Sequence, residues 1–315
     1  MKQSFGGTQR RQIKRACRAR VWDRLGRCIG IQVLYAVPYV LLTLMLCAAL
    51  FGRVFVLLAA GVTDAYSLAR AASAGLNSVW VILLLMLLLS GPLQYGLMKF
   101  YIGLYHGEDP GVSTLFQAFT SLRALWLGIR MAFCLFFRAL LWLVAPTVLF
   151  TIALLSVTVQ AVMTRQPMPE GTMIVLAVLY ALAVLLISVN LLRYQAGWVV
   201  VLDDPDRSAW DATAQGSRVF RGRYGSLLLF VLSFVWWYLV LSVCTQLCLT
   251  LGDTGLELMG SGLGIAVYAA AAVAALCLSL VLGGFVNAYY MTSFIGMYET
   301  LSAPPAMGQE DTTQL

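Results

Sequence analysis

Six stretches of this sequence, residues 30–51, 79–98, 139–164, 173–192, 226–252 and 258–298, contain no Asp, Glu, Lys or Arg. About 20 apolar residues cross the roughly 30 Å of bilayer hydrocarbon as a helix. A chain with six such runs has nowhere in water to hide them. Composition agrees: 61% of residues are apolar and 11% charged, where a soluble domain has about 45–50% and about 25%. In hydrocarbon every backbone N–H and C=O must be satisfied within the protein, and a helix does this segment by segment. The reading is an all-α, polytopic bundle of about six transmembrane helices. The last run is 41 residues long, about 60 Å as a helix, so its membrane part is placed near 262–284, ending at Gly283-Gly284. Residues 54–62 form a seventh, short apolar run, read as a partly buried outer loop; the alternative is a first span that starts later and includes Arg53.

Charge orients these spans. Residues 1–28 hold nine of the 21 basic residues and one acid, Asp23, giving +8 of the net +7 and leaving −1 for the rest. With the N-terminus inside, the inner segments 1–29, 105–130, 203–225 and the C-terminal tail carry 15 Lys and Arg, against three (Arg53, Arg70, Arg165) in the outer segments. The positive-inside rule then puts both termini in the cytoplasm. The first run is 22 residues, longer than the h-region of a cleaved signal, and is read as a retained span. Three parts follow: a basic amphipathic segment 1–29, a membrane domain 30–298 and a short flexible tail 299–315. A basic tail abutting a span suits anionic lipid headgroups and not nucleic acid. The seven cysteines are odd in number and lack a CxxC; they read as small packing residues.

The inner segments carry helical patterns of their own. Ile13, Cys17, Val21, Leu25 and Cys28 form one apolar stripe amid Arg and Lys, the pattern of an amphipathic helix in the membrane interface. Asp109-Pro110 opens a second such segment. In the third, Asp204-Pro205 and the capping-box pattern Ser208-Ala-Trp-Asp211 leave either Asp204 or Ser208 as N-cap. Arg20–Arg27, Arg123–Arg130 and Arg221–Leu227 are alike, with spacings of 103 and 98 residues. The pattern suggests three parallel repeats, each an interfacial helix followed by a transmembrane hairpin.

Four stretches carry a family resemblance: Gly91-Pro-Leu-Gln-Tyr-Gly96, Gly107-Glu-Asp-Pro-Gly-Val-Ser-Thr-Leu-Phe116, Leu202-Asp-Asp-Pro-Asp-Arg-Ser-Ala-Trp-Asp211 with Ser217 and Gly222, and the basic Ile13-Lys-Arg-Ala-Cys-Arg18. They resemble the DUF975 family of bacterial integral membrane proteins. The resemblance implies a bacterial multi-pass protein of the cell membrane and supplies no chemistry, because the family's role is unassigned.

All 14 acids lie in tails, loops or interfacial helices; ion-coupled carriers bury carboxylates in the membrane. The lone histidine, His106, reads as a solvated interfacial side chain. Asp204, Pro205, Ser208 and Asp211 read as helix initiation, not as a metal site. GxSxG, HExxH and Walker A motifs are absent. The remaining candidates for ligand or lipid contact are Arg138 and Arg193, which either clamp an anion or snorkel, and Gly91-Pro92, which either frees carbonyls or kinks a packed helix. Gly260 and Gly264 form a GxxxG contact motif. The expectation is a non-enzymatic envelope component binding lipid or a protein partner, whether a second copy or another membrane protein, with no cofactor and no metal. The alternative is an uncoupled transporter or channel for a small solute; a membrane-embedded lipid enzyme is weaker still.

Overall fold

The computed structural model of the chain describes residues 7–61, 64–164, 170–259 and 261–303. The apolar runs are helices: α1 (Gly7–Asp23), α2 (Leu25–Ala59), α3 (Ala65–His106), a 3₁₀ segment η1 (Val112–Thr120), α4 (Leu122–Thr164), α5 (Glu170–Gln195), α6 (Gly197–Asp203), α7 (Ala209–Val219), α8 (Tyr224–Met259) and α9 (Ser261–Ser302). Six helical stretches are long and apolar enough to cross a membrane, and no strand occurs among the described residues. The protein is a multi-pass membrane protein. Its outward leucines and phenylalanines, such as Leu141 at 72% exposure and Phe55 at 72%, would form an aggregating patch in water and are ordinary surface in lipid.

The helices overrun the charge-free runs. α2 continues through Arg53 to Ala59, so residues 54–59 are helix and the expected outer loop is corrected. Once a helix is running, ending it in an apolar medium strands carbonyls, whereas continuing it keeps every bond. α3 begins at Ala65, where Asp64 caps it by accepting from the Ser67 N–H at 2.8 Å. It ends at Gly107, whose φ of 84° is the left-handed cap conformation. Gly260 of the GxxxG motif and residues 304–315 of the tail lie outside the described residues.

The chain forms two compact units, Met1–Ile129 with Leu232–Leu315, and Arg130–Val231. In the first, α2, α3 and α9 pack together and α1 lies on α9. The stripe over residues 13–28 is corrected in one respect: it is divided between two helices at Arg24, and Cys17 and Val21 of α1 and Cys28 of α2 are wholly buried against protein. The opposite face keeps Arg11, Arg15, Arg18 and Trp22 exposed. Arg24 and Arg27 pair with Asp109, fixing the start of α2 to the loop after α3. In the second unit, α6 and α7 pack closely, burying Trp198, Val201, Ala212 and Thr213. The Cys134 thiol sits 3.4 Å from the Thr213 hydroxyl.

Three glycines align the repeats structurally. A Cβ built on Gly96 of α3 would strike the backbone of Leu115 in η1; on Gly197 of α6 it would lie 2.7 Å from Thr213 Cα in α7; on Gly296 of α9 it would lie 2.9 Å from the Ile13 side chain in α1. The glycines are 101 and 99 residues apart. Each lets an interfacial segment touch the end of the second helix of a hairpin. η1 and α7 therefore seat on the hairpin that precedes each of them, and α1 seats chiefly on the last.

Candidate functional site

Arg138 lies on α4, one helical turn before Trp142; Arg193 lies near the end of α5, next to Tyr194. The two arginines, read from the sequence as either anion clamps or snorkelling side chains, meet about one ring. The Arg138 guanidinium carbon stands 4.6 Å from the Tyr194 ring centroid and 4.0 Å from that of Trp210 on α7. The Arg193 carbon stands 4.7 Å from Tyr194, 5.7 Å from Trp142 and 5.4 Å from Tyr224 at the start of α8. Arg138 Nη2 donates to the Trp210 carbonyl at 3.2 Å. Arg193 Nη2 donates to the Tyr194 hydroxyl at 2.8 Å, and its Nη1 donates to the Tyr224 hydroxyl.

The electrostatics of this cluster are one-sided. Ring faces attract cations by about 0.5–2 kcal/mol each, more as water is removed. Among the described residues, however, neither arginine forms an ion pair. Asp211, next to Trp210 in the chain, is engaged with Ser208. Both Nε atoms are buried and lack an acceptor. Two cations share a ring cage whose rims, Trp142, Trp210 and Tyr224, are exposed.

The other candidate residues have structural employment. Gly91-Pro92 leaves α3 unbroken: a Cβ on Gly91 would overlap the Gly128 backbone, so the pair lies where α3 crosses the start of α4. Pro92 also borders, with Pro38, an apolar groove of about 480 Å³. Ser208 is the N-cap of α7, accepting from the Asp211 N–H at 3.1 Å and donating to its carboxylate at 2.6 Å. Asp204 instead caps the end of α6 and pairs with Arg207 at 3.3 Å, and Pro205 lies in the turn between them. His106 is exposed, as a solvated interfacial side chain would be, and it also meets Glu299 of α9 at 3.0 Å.

Two further places in the first unit are polar. Arg15, Arg18, Trp22 and Asp23 border a cavity of about 410 Å³ on the outer face of α1. Beneath that helix, Lys14 donates to Ser233 at 2.8 Å and lies 4.1 Å from the Phe234 ring centroid; burial, helped by the charge of Arg10, pulls its ammonium down to about 8. On α2, Gln32, Tyr35, Tyr39 and Thr43 line one side of a cavity of about 390 Å³. The Tyr35 hydroxyl donates to Gln94 at 3.2 Å, and the Tyr101 hydroxyl donates to Gln32 at 3.4 Å.

Sequence reasoning singled out both arginines and missed the rings around them. The signals were present: Trp142 one turn from Arg138, the Arg193-Tyr194 dipeptide, and the Trp inside Ser-Ala-Trp-Asp. No curated protein and no solved structure matches the chain. A family model does, over residues 39–304, most of the length and everything from the middle of α2 to just past the end of α9; the chain belongs to the DUF975 family, described as proteins of unknown function.

Proposed function

We propose that this protein is a non-enzymatic, lipid-binding component of the bacterial cell membrane, with both termini cytoplasmic, that holds anionic headgroups in the inner leaflet. The observation that carries the reading is the Arg138–Arg193 pair, two cations in an aromatic cage with no carboxylate between them. The exposed basic face of α1, with Trp22 at 61% exposure, supports it as a second, less specific contact worth about 1 kcal/mol per basic residue near a charged surface. The acids support a non-catalytic role: Asp64 caps a helix, the Asp211 carboxylate accepts from the capping hydroxyl of Ser208, and Asp109 and Asp204 pair with arginines. The test is co-purification. Protein extracted gently from membranes should carry anionic phospholipid above its bulk share, and Arg138→Gln with Arg193→Gln should reduce that excess. Equal lipid profiles for both proteins and the bulk membrane would remove the reading. Reporter fusions between Gly216 and Arg218 should be cytosolic and those near Asp64 and Asp253 external.

A second reading, uncoupled passage of a small solute, is favoured by the hydroxyl and amide stripe on α2. Gln32 to Thr43 is 11 residues, about 16 Å along a helix, or half the hydrocarbon. Liposomes carrying the protein should then leak a small neutral polyol faster than empty ones, and Tyr39→Phe with Thr43→Val should slow it. Equal leakage with and without protein would discard this reading.

A further inference from the structure

The three hairpins offer an internal comparison for the arginine pair. Each has a polar contact between its two helices. In the first, the Tyr35 hydroxyl donates to the Gln94 carboxamide oxygen at 3.2 Å; in the third, the Tyr238 hydroxyl donates to Asn287 Oδ1 at 3.0 Å. Both contacts are neutral, and each partner answers the other. Arg138 lies 15 residues after Arg123, as Tyr35 lies 15 after Arg20, so it holds the corresponding place in the middle hairpin. A hairpin of this kind closes without a cation, and the middle one carries two.

Their donors are also largely unspent. A guanidinium has five N–H groups. Arg138 uses one, toward Trp210, and Arg193 uses two, toward Tyr194 and Tyr224. The other four and three have no acceptor among the described residues, and the two Nε groups among them are buried. A buried donor left unmade is costly, and such groups point to a missing ligand. Both guanidinium carbons lie within 4.7 Å of the Tyr194 centroid, so they are no more than about 9 Å apart. Two guanidiniums hydrogen-bonded to one phosphate stand up to about 8 Å apart, given charge-assisted bonds of about 2.7–2.9 Å.

We infer that Arg138 and Arg193 together bind the phosphomonoester headgroup of a membrane lipid. This rests on the lipid-binding reading and names its ligand class. A monoester presents three terminal oxygens and about −1.5 to −2 charge near pH 7, which matches two cations and two donor forks. A phosphodiester headgroup presents two free oxygens and one negative charge. The rims formed by Trp142, Trp210 and Tyr224 suit the boundary between headgroup and chains, where amphipathic rings collect.

The experiment uses the full-length protein in nanodiscs of phosphatidylcholine doped with equal amounts of phosphatidic acid or phosphatidylglycerol. Bound lipid is read by native mass spectrometry. Phosphatidic acid should be retained about tenfold more than phosphatidylglycerol, the scale of one added charge-assisted contact. Arg138→Gln and Arg193→Gln should each bring the ratio near one. Arg138→Lys, which keeps the charge and loses the fork, should fall between them. Tyr238→Phe, which lies outside the cage and loses only the neutral contact of the third hairpin to Asn287, should retain the preference, and thermal unfolding of each Gln variant separates a lost preference from a lost fold. Arg15→Gln with Arg18→Gln should lower retention of both lipids and leave their ratio unchanged. Equal retention of the two lipids by the unaltered protein would overturn the monoester assignment while leaving the lipid-binding reading in place. Retention of neither above phosphatidylcholine would overturn both. Displacement of phosphatidic acid by millimolar inorganic phosphate would assign the site to free phosphate and overturn the lipid source.

Discussion

Gly197→Ala tests the packing of α7 on α6 and, through it, the cage. The added Cβ would fall 2.7 Å from Thr213 Cα, 2.8 Å from its Cγ2 and 2.9 Å from its N. Carbon atoms are comfortable at about 3.5–4.0 Å, so α7 must retreat by nearly 1 Å. It has little freedom to do so: Thr213 is wholly buried, its hydroxyl donates to Ala209 and Trp210 carbonyls at 3.0 Å, and the Cys134 thiol lies against it. Overpacking of this kind costs about 1–3 kcal/mol. Alanine also repays about 0.5–1 kcal/mol of backbone entropy wherever it replaces a helical glycine, which obscures a single measurement. Gly225→Ala at the start of α8 gains the same term and meets nothing within 4 Å. The difference between the two variants is therefore the steric cost alone, about 1–3 kcal/mol. Thermal unfolding of both in one detergent reads it. Gly197→Ala should melt below wild type and Gly225→Ala at or above it. Because Trp210 rides on α7, Gly197→Ala should also weaken anionic lipid retention. Identical melting of the two variants would refute the close approach and, with it, the glycine alignment of the repeats.

Three other outcomes are expected. Ser208→Ala removes the cap of α7 and should cost about 0.5–2 kcal/mol locally, seen as faster hydrogen exchange over residues 209–213; unchanged exchange would remove Ser208 as the cap. Burial pushes the Cys17 thiol up to about 11, so little of it is thiolate at pH 8; a variant with Cys17 as its sole cysteine should resist maleimide until denatured, and rapid native labelling would show that α1 is not docked. The hydrogen bond and charge of Arg27, with Arg24 beside it, hold the Asp109 carboxyl below the usual range. A depressed carboxylate stabilises above its unfolded pKa, about 3.9, so exchange protection of residues 107–111 should persist at pH 5 and fade as pH drops below about 4, a dependence that Asp109→Asn should abolish.

The spans were legible because charge is so costly in hydrocarbon that its absence marks them. Their ends were not, because a helix leaving the bilayer keeps its hydrogen bonds among polar residues; α3 starting at Ala65 and α9 reaching Ser302 are cases of this. The α1 stripe was visible as a period of apolar residues. What covers it was not, since periodicity gives the apolar face and is silent on whether lipid or α9 lies against it. The capping box gave both possible caps, and geometry chose Ser208 because the turn at Pro205 ends α6 first. Arg138 and Arg193 stood out singly as cations in apolar company. Their meeting across 55 residues belongs to the packing of α4, α5 and α7, which no local pattern encodes.

The seat of α1 on α9 has a consequence for the order in which the protein can be completed. α1 is made before the helix that receives it, which begins 238 residues after α1 ends, from Asp23 to Ser261. At about 5–20 residues per second, α1 waits roughly 10–50 s for its partner. η1 and α7 have no such delay, because the helices they rest on precede them. During that interval the face bearing Cys17 and Val21 lacks α9 and has, besides its lesser contacts with α2 and α3, the bilayer surface to cover it, and the flanking arginines would hold it there. The basic N-terminal helix would thus act first as a temporary membrane anchor and only later as the closing element of the bundle.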